Sequence, residues 1–385
     1  MASVSKREDG RWRARYRDAE GKEHAQHFAK KSDGQAWLDS VTSQLVTGAW
    51  VAPDRGRMTV GAWADTWLAG KVKLKPSTRA TYASIVGHHV KPRWENVPLG
   101  RVTHEDVAQW IGDLYRSGLS ASRTRQVFTV LASMLDGAVR SKRLASNPAR
   151  GVELPALPAK DHRYLTHAEV AALADASGEY GTLVRLLAYG GLRFGEAVAL
   201  TAKNVDVLRA RVTIAESATE VAGCMTFTTP KTHAVRTISV PRSVADLLAV
   251  ELVGKGPDDV VFETPRGGVL REGNWRRDVF DAAAVKVGLG RVVKGAKGDR
   301  YEGITPHALR HTAASLAISA GAHVVAVARL LGHASPNVTL GVYAHLFEND
   351  LDDVATRLDA AAEVSRTNRG PNVVALDSER ERRTS

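Results

Sequence analysis

The sequence predicts a mainly α chain with small antiparallel sheets, an α+β fold, and three observations carry that expectation. Apolar residues recur at helical spacing through most of residues 58–160 and again after Thr305. Strict alternation is confined to short runs near the N-terminus and between Val205 and Val240. The composition, 44% hydrophobic and 25% charged over 385 residues, is that of an ordinary globular chain too long for one small core, which suits two or three domains.

Residues 10–17, GRWRARYR, alternate so that Arg11, Arg13, Arg15 and Arg17 share one strand face and Trp12, Ala14 and Tyr16 the other. A turn at 19–22, a strand at 24–28 and a helix at 32–46 follow, with Trp37, Leu38 and Val41 placed to cover the aromatic face. Four arginines without an interleaved acid repel one another unless an anion neutralises them, so this face is expected to meet nucleic acid. Residues 1–46 therefore read as a small DNA-binding domain and 47–57 as a polar linker.

Four helices are expected over 60–68, 77–90, 104–117 and 120–143, and together they make a helical domain over 58–145. Residues 58–160 hold 15 Lys+Arg against 7 Asp+Glu, so most of the chain's net charge of +11 sits there. Lys75, Arg79, Arg123 and Arg125 lie near helix ends, where side chains and backbone amides can grip phosphates.

The Pro-rich run 146–160, SNPARGVELPALPAK, is the clearest domain boundary. Beyond it, Thr166 is expected to cap a helix over 167–176, and a second helix covers 181–188. YGGLRFGEAVAL then places Arg193 on a helix one turn before Glu196, an acid suited to orienting that guanidinium. Short strands are expected at 205–207, 211–215, 225–229 and 236–240, with Lys231 at a hairpin tip. Helices at 243–252 and 274–287 precede a glycine- and charge-rich loop, 288–303.

Residues 305–345 organise the second half. Thr305 and Pro306 open a helix that Gly321 closes, so His307 and Arg310, three apart, point at one object, an anion. A helix over 324–331 ends at Gly332, His333 falls in the loop after it, and Ser335 with Pro336 opens a third helix that carries Tyr343. Phe347, Leu351, Val354 and Leu358 extend an apolar stripe, and 366–385 reads as a disordered tail.

Taken singly, each of these side chains reads as ordinary packing or a solvated pair. In order, however, Arg193, Lys231, His307-x-x-Arg310, Gly332-His333 and Tyr343 resemble the tyrosine recombinase (phage integrase) family, with all six catalytic positions filled. The resemblance covers roughly residues 58–365. It implies a core-binding (SAM-like) domain at 58–145 and a catalytic domain at 161–365, and the N-terminal segment is similar to the arm-site-binding domains of phage integrases. It also implies a site-specific recombinase of a phage or mobile element that cleaves and rejoins double-stranded DNA through a 3′-phosphotyrosine.

The family pattern and the chemistry of these groups assign the roles. Arg193 and Arg310 would hold the non-bridging phosphate oxygens, and His333 would add a donor. His307 would accept the proton of Tyr343, whose hydroxyl is a poor nucleophile at its usual pKa of ~10. Lys231 would protonate the departing 5′ oxygen. Glu196 would be structural support, and neither a metal nor another cofactor is expected. A homotetramer on paired attachment sites, an accessory directionality factor and a host DNA-bending protein are the implied partners. Alternatives are a chromosome-dimer-resolving recombinase, a type IB topoisomerase and a catalytically dead DNA-binding regulator. The last has no use for Tyr343. A single cysteine, Cys224, rules out an intramolecular disulfide, and no apolar run is long enough for a membrane span. The expected location is the bacterial cytoplasm, on the nucleoid.

Overall fold

The alternation at the N-terminus folds as expected in the computed structural model, but as the middle of three strands. β1 (Ser3–Lys6), β2 (Trp12–Arg17) and β3 (Glu23–Phe28) form an antiparallel sheet in that order. The structure describes residues 2–18, 21–47, 50–52, 55–158, 162–229, 235–295, 298–347, 355–356 and 358–363. By its contacts the chain divides into two units, residues 1–159 and 160–385.

Within the first unit, Ala14 and Tyr16 of β2 are buried against Leu38 and Val41 of α1 (Lys31–Val46), with Trp37 and Phe28 beside them. The Tyr16 hydroxyl accepts a hydrogen bond from Trp50 Nε1 at 2.9 Å, which satisfies the polar end of a buried ring. A separate core lies among α2 (Val60–Ala69), α3 (Pro76–Ile85), α4 (Lys91–Trp94), α5 (His104–Arg116) and α6 (Ala121–Arg140). Between α3 and α4 the chain makes a π turn, Val86–Val90. Pro92 has no N–H to return to the preceding turn, which accounts for the widening there. Thr103 and Asp106 form a reciprocal capping box that starts α5.

The second unit opens with α7 (His167–Ala176), begun by a Thr166–Glu169 capping box, and α8 (Gly181–Gly190), which packs on the later helix α13 (Pro306–Ser319). α9 (Phe194–Val198) follows. The strands are β4 (Val205–Asp206), β5 (Arg211–Ile214), β6 (Ser217–Val221), β7 (Cys224–Thr228) and β8 (Arg236–Ser239). They form two sheets, β4-β5-β8 and the hairpin β6-β7. α10 (Arg242–Glu251), α11 (Glu272–Trp275) and α12 (Asp281–Lys286) lead to a second hairpin, β9 (Gly290–Val293) with β10 (Arg300–Gly303). The unit's described helices end with α13 (Pro306–Ser319), α14 (Val324–Leu331), α15 (Pro336–Tyr343) and a 3-10 turn, Ala344–Phe347, before a short exposed helical stretch near Leu358.

Four expectations need correction. Within 288–303, expected to be a loop, Gly290–Val293 and Arg300–Gly303 pair as antiparallel strands, held across by Arg291 and Glu302. β6 was not expected, and the hairpin it makes with β7 turns at Ala222–Gly223. Lys231 lies outside the described residues, and the strands on either side of it, β7 and β8, belong to different sheets. Thr305 precedes α13 but makes no side-chain cap bond. Of the terminal stripe, Leu351 and Val354 lie outside the described residues, as do residues 366–385, and Leu358 is exposed.

The core of the first unit supplies a test of packing. Met134 is fully buried, and its carbonyl accepts from Trp63 Nε1. Met134→Ala should cost roughly 2–5 kcal/mol in urea unfolding followed by tryptophan fluorescence. Val72→Ala, at an exposed position, should stay within about 0.5 kcal/mol of the parent.

Candidate active site

The site is built on two helix ends. α8 stops at Gly191, which adopts φ +64°, and α14 stops at Gly332, at φ +65°. Both are left-handed terminations that favour glycine. A Cβ on Gly191 would also stand 2.8 Å from Leu331 Cδ2, so α8 and α14 approach each other at this point. Helix ends of this kind expose carbonyls, and Arg310 of α13 takes one from each. Its Nη1 donates to Gly191 O at 2.6 Å and its Nη2 to Leu331 O at 2.5 Å.

Arg310 is 3% exposed, and among the described residues no carboxylate is bonded to it. Burial, with Arg193 next in weight, pushes its guanidinium down to about 9. A guanidinium stays protonated at neutral pH, so the downward direction means that its surroundings tolerate the charge poorly. An anion would relieve it.

Arg193 is not inside a helix, as expected from sequence, but caps α9 from outside. Its backbone N–H donates to Glu196 Oε2 at 3.0 Å and its Nη1 to Oε1 at 2.8 Å. The Glu196 side chain is fully buried and also receives Arg236 Nη2 at 2.6 Å and Nη1 at 3.2 Å. Burial raises the Glu196 pKa, but its bonds to Arg236 and Arg193 outweigh that and hold it below the usual carboxylate range. One carboxylate therefore serves two guanidiniums, and with Arg310 the group carries a surplus of positive charge.

His333 sits at the meeting point of these cations. Burial first, then Arg310, Arg193 and Arg236, push its imidazole down to about 4, so it is neutral at physiological pH. Its Nδ1 is 2.9 Å from Thr339 Oγ1. With Thr339 donating to Nδ1, the ring keeps one N–H, on Nε2, for an anion.

Tyr343 is 2% exposed in a small core with Ala314, Ile318, Val327 and Leu331. Burial pushes its phenol up to about 12 against the opposing pull of Arg310. Its hydroxyl lies 2.7 Å from Nδ1 of His311, not at His307, the proton acceptor expected from sequence. His307 is exposed, one turn earlier on α13, its ring edge-on to His311 at 4.8 Å. It lines a cavity of about 460 Å³ together with Arg193, Gly195, Ser217 and Thr219. α9 packs against β6 so closely here that a Cβ on Gly195 would stand 2.4 Å from Ala218 O. Among the described residues no group of three or more His, Cys, Asp or Glu could hold a metal ion.

Sequence reasoning missed Arg236 and His311. Arg236 is one polar residue in a four-residue strand, and only the fold brings it to Glu196. His311 could have been found, since it follows His307 by four residues and so lies on the same helical face.

The candidate DNA-binding residues fare unevenly. Arg11 lies just outside β2, and Arg15 and Arg17 are exposed. The face is not free of acid, however. Glu23 of β3 pairs with Arg13 at 2.9 Å and with Arg15 at 3.7 Å, so the repulsion argument for that face is corrected by a partner the strand pairing supplies. Lys75 precedes α3 and Arg79 is exposed one turn on. Arg123, at the start of α6, bonds Gln126, and Arg125 is committed to the carbonyl of Pro155.

Residues 163–350 match the phage integrase family. The matched span, 188 of the 385 residues, falls within the second unit. The ICEBs1 integrase of Bacillus subtilis is 24% identical over 305 residues, spanning 75% of this chain and 79% of that protein. In fold, the chain matches the Tn1549 transposon integrase solved with circular intermediate DNA, with a TM-score of 0.67 and 20% identity over 78% of this chain and 99% of the other. It also matches a lambda integrase tetramer bound to a Holliday junction, with a TM-score of 0.54 and 18% identity over 86% and 96% of the two chains.

Two tests follow from these charges. Glu196→Gln leaves two guanidiniums without their shared counter-charge and should cost roughly 3–5 kcal/mol in urea unfolding near neutral pH. The carboxylate's contribution is present above its unfolded pKa and fades as pH falls through its lower folded value, so parent and variant stabilities should converge in acid. For His333, the unfolded chain binds a proton between pH ~6.5 and about 4 that the folded chain refuses. Stability of the DNA-free protein should therefore fall as pH drops through that window, and His333→Asn should flatten the slope in a pH series of thermal melts.

Proposed function

We propose that this chain is a member of the phage integrase family and a site-specific recombinase that cleaves and rejoins double-stranded DNA at attachment sites, with Tyr343 as nucleophile. The observation that carries the reading is the convergence of Arg193, Arg236 and Arg310 on His333, with one buried carboxylate among them. Such a surplus of fixed donors suits a phosphodiester, whose charge grows as phosphorus becomes pentacoordinate.

In this mechanism the terminal nitrogens of Arg310, tied to two carbonyls, each keep a second N–H for the non-bridging oxygens. Arg193 is aimed by Glu196, and Arg236 fixes that carboxylate from the other side. His333 donates from Nε2. Lys231 is the general acid that protonates the leaving 5′ oxygen, and His307, beside Arg193 on the cavity, faces the substrate side. The Tyr343 oxygen attacks phosphorus and forms a 3′-phosphotyrosine, which keeps the bond energy for rejoining to a second 5′ hydroxyl.

We further propose that the chain works as a homotetramer on two paired sites. A directionality factor and a host DNA-bending protein assist it. Lys75, Arg79 and Arg123 grip phosphates, and the N-terminal sheet meets separate arm sites through Arg11, Arg15 and Arg17. No described helix is long and apolar enough to cross a membrane, and the proposed place of action is the bacterial cytoplasm.

The test uses a pool of nicked duplexes of randomised sequence. The parent chain should accumulate protein–DNA adducts that survive denaturing gels, with or without EDTA. Tyr343→Phe should retain duplexes in a filter-binding assay yet form no adduct. Adducts that persist in Tyr343→Phe would place the nucleophile elsewhere, and chelator-sensitive cleavage would overturn the metal-free route.

A further inference from the structure

We infer that His311 is a further catalytic residue, which holds the Tyr343 hydroxyl and takes its proton as the phosphotyrosine bond forms. The inference rests on the recombinase reading for its chemistry, but the contact itself is independent of it.

Geometry comes first. Nδ1 of His311 lies 2.7 Å from the Tyr343 oxygen, well within reach for direct proton transfer. The hydroxyl is shut away from bulk solvent, so water is poorly placed to take the proton. Burial also holds the phenol protonated at neutral pH, so an attack that leaves the proton on oxygen would have to proceed with a weak nucleophile. An imidazole whose Nδ1 accepts from the tyrosine carries its own hydrogen on Nε2.

The surroundings of His311 suit a ring that gains charge briefly. The His162 ring lies at 4.2 Å, tilted by 37°, and the His307 ring meets it edge-on at 4.8 Å. All three rings, with Arg163, line one cavity of about 300 Å³. Arg310 precedes His311 in the chain, and Tyr164 lies beyond Tyr343 at 6.5 Å between ring centroids. The exposed His307, on the same cavity, offers a route outward for the proton.

The step balances. The Tyr343 oxygen forms its bond to phosphorus, the bond from phosphorus to the 5′ oxygen breaks, the tyrosine proton moves to His311 Nδ1, and the 5′ oxygen takes a proton from the general acid. Rejoining runs the same transfers backwards, with His311 returning the proton to tyrosine.

The experiment compares the parent, His311→Asn and His311→Ala on a duplex recovered from the randomised pool by adduct capture with the parent. Asparagine can still hydrogen-bond the hydroxyl but cannot take its proton. Both variants should bind the duplex as the parent does and form adduct about 100-fold more slowly. In both, the rate should climb with pH beyond the parent's plateau. Replacing Tyr343 by 3,5-difluorotyrosine, which ionises more readily, should recover at least tenfold in the variants and change the parent much less. A merely structural role would show no such recovery. Adduct formation within threefold of the parent in His311→Asn, or no recovery with the fluorinated tyrosine, would overturn the inference. Histidine-selective 15N spectra of the full DNA-free chain give a second measurement should the variants not fold. An unprotonated Nδ1 on His311 whose shift responds to Tyr343→Phe is expected, and a protonated Nδ1 would also overturn the inference. Failure of the parent to form any adduct would sink the recombinase reading alone, since the spectra still judge the contact.

Discussion

The second unit depends on where one buried cation finds its hydrogen bonds. Arg310 has almost no contact with water, and an uncompensated buried guanidinium costs several kcal/mol. The fold answers with carbonyls rather than a carboxylate. α8 and α14 both terminate in left-handed glycines beside Arg310, and the carbonyls freed there lie at the negative ends of their helix dipoles. The cation thereby joins three helices while its charge remains uncancelled, because a carbonyl supplies a partial charge and a carboxylate a full one. Structural cross-link and electrostatic strain are the same feature.

Glu196 shows the complementary choice. A fully buried carboxylate lies between Arg193 and Arg236, so each guanidinium is held by a charged partner and aimed by it. With two arginines sharing one acid and a third bonded only to carbonyls in the contacts described above, the rigid part of the site is left short of negative charge. Donors fixed in this way need no reorganisation when an anion arrives, which is the condition under which hydrogen bonds contribute most to a charged transition state.

Much of this was legible in the sequence because its causes are local. Thr166 and Ser335 start helices by bonds to amides two or three residues away, and Gly332 ends a helix by its own backbone conformation. The expected placement of His307 and Arg310 on α13, of His333 in the loop after α14 and of Tyr343 on α15 is therefore what the fold contains. What escaped is set by partners distant in the chain. Arg236 reaches Glu196 across forty residues, Glu23 neutralises part of an arginine face that looked unopposed in its own strand, and Tyr343 meets a histidine thirty-two residues earlier. The β9-β10 hairpin was hidden by its glycine and charge content, which reads as loop until Arg291 and Glu302 are seen to face each other across the strands.

One cation acts on two groups in the same sense. Arg310, one of the three arginines that oppose protonation of His333, also favours ionisation of Tyr343, since both effects penalise added positive charge and reward negative charge. For the histidine, burial and the cations push the same way, and the ring stays neutral with a single N–H to offer. For the tyrosine they oppose each other, and burial wins. The phenol thus remains protonated despite the guanidinium nearby, so the cations that would receive the phosphate cannot by themselves prepare the nucleophile. The site needs a proton acceptor other than its arginines, and the group in contact with the Tyr343 hydroxyl is the imidazole of His311, on the same helix as Arg310. The proposed phosphate-binding and proton-accepting groups would stand at adjacent positions of α13, so that their relative geometry would be a property of one helix rather than of two loops.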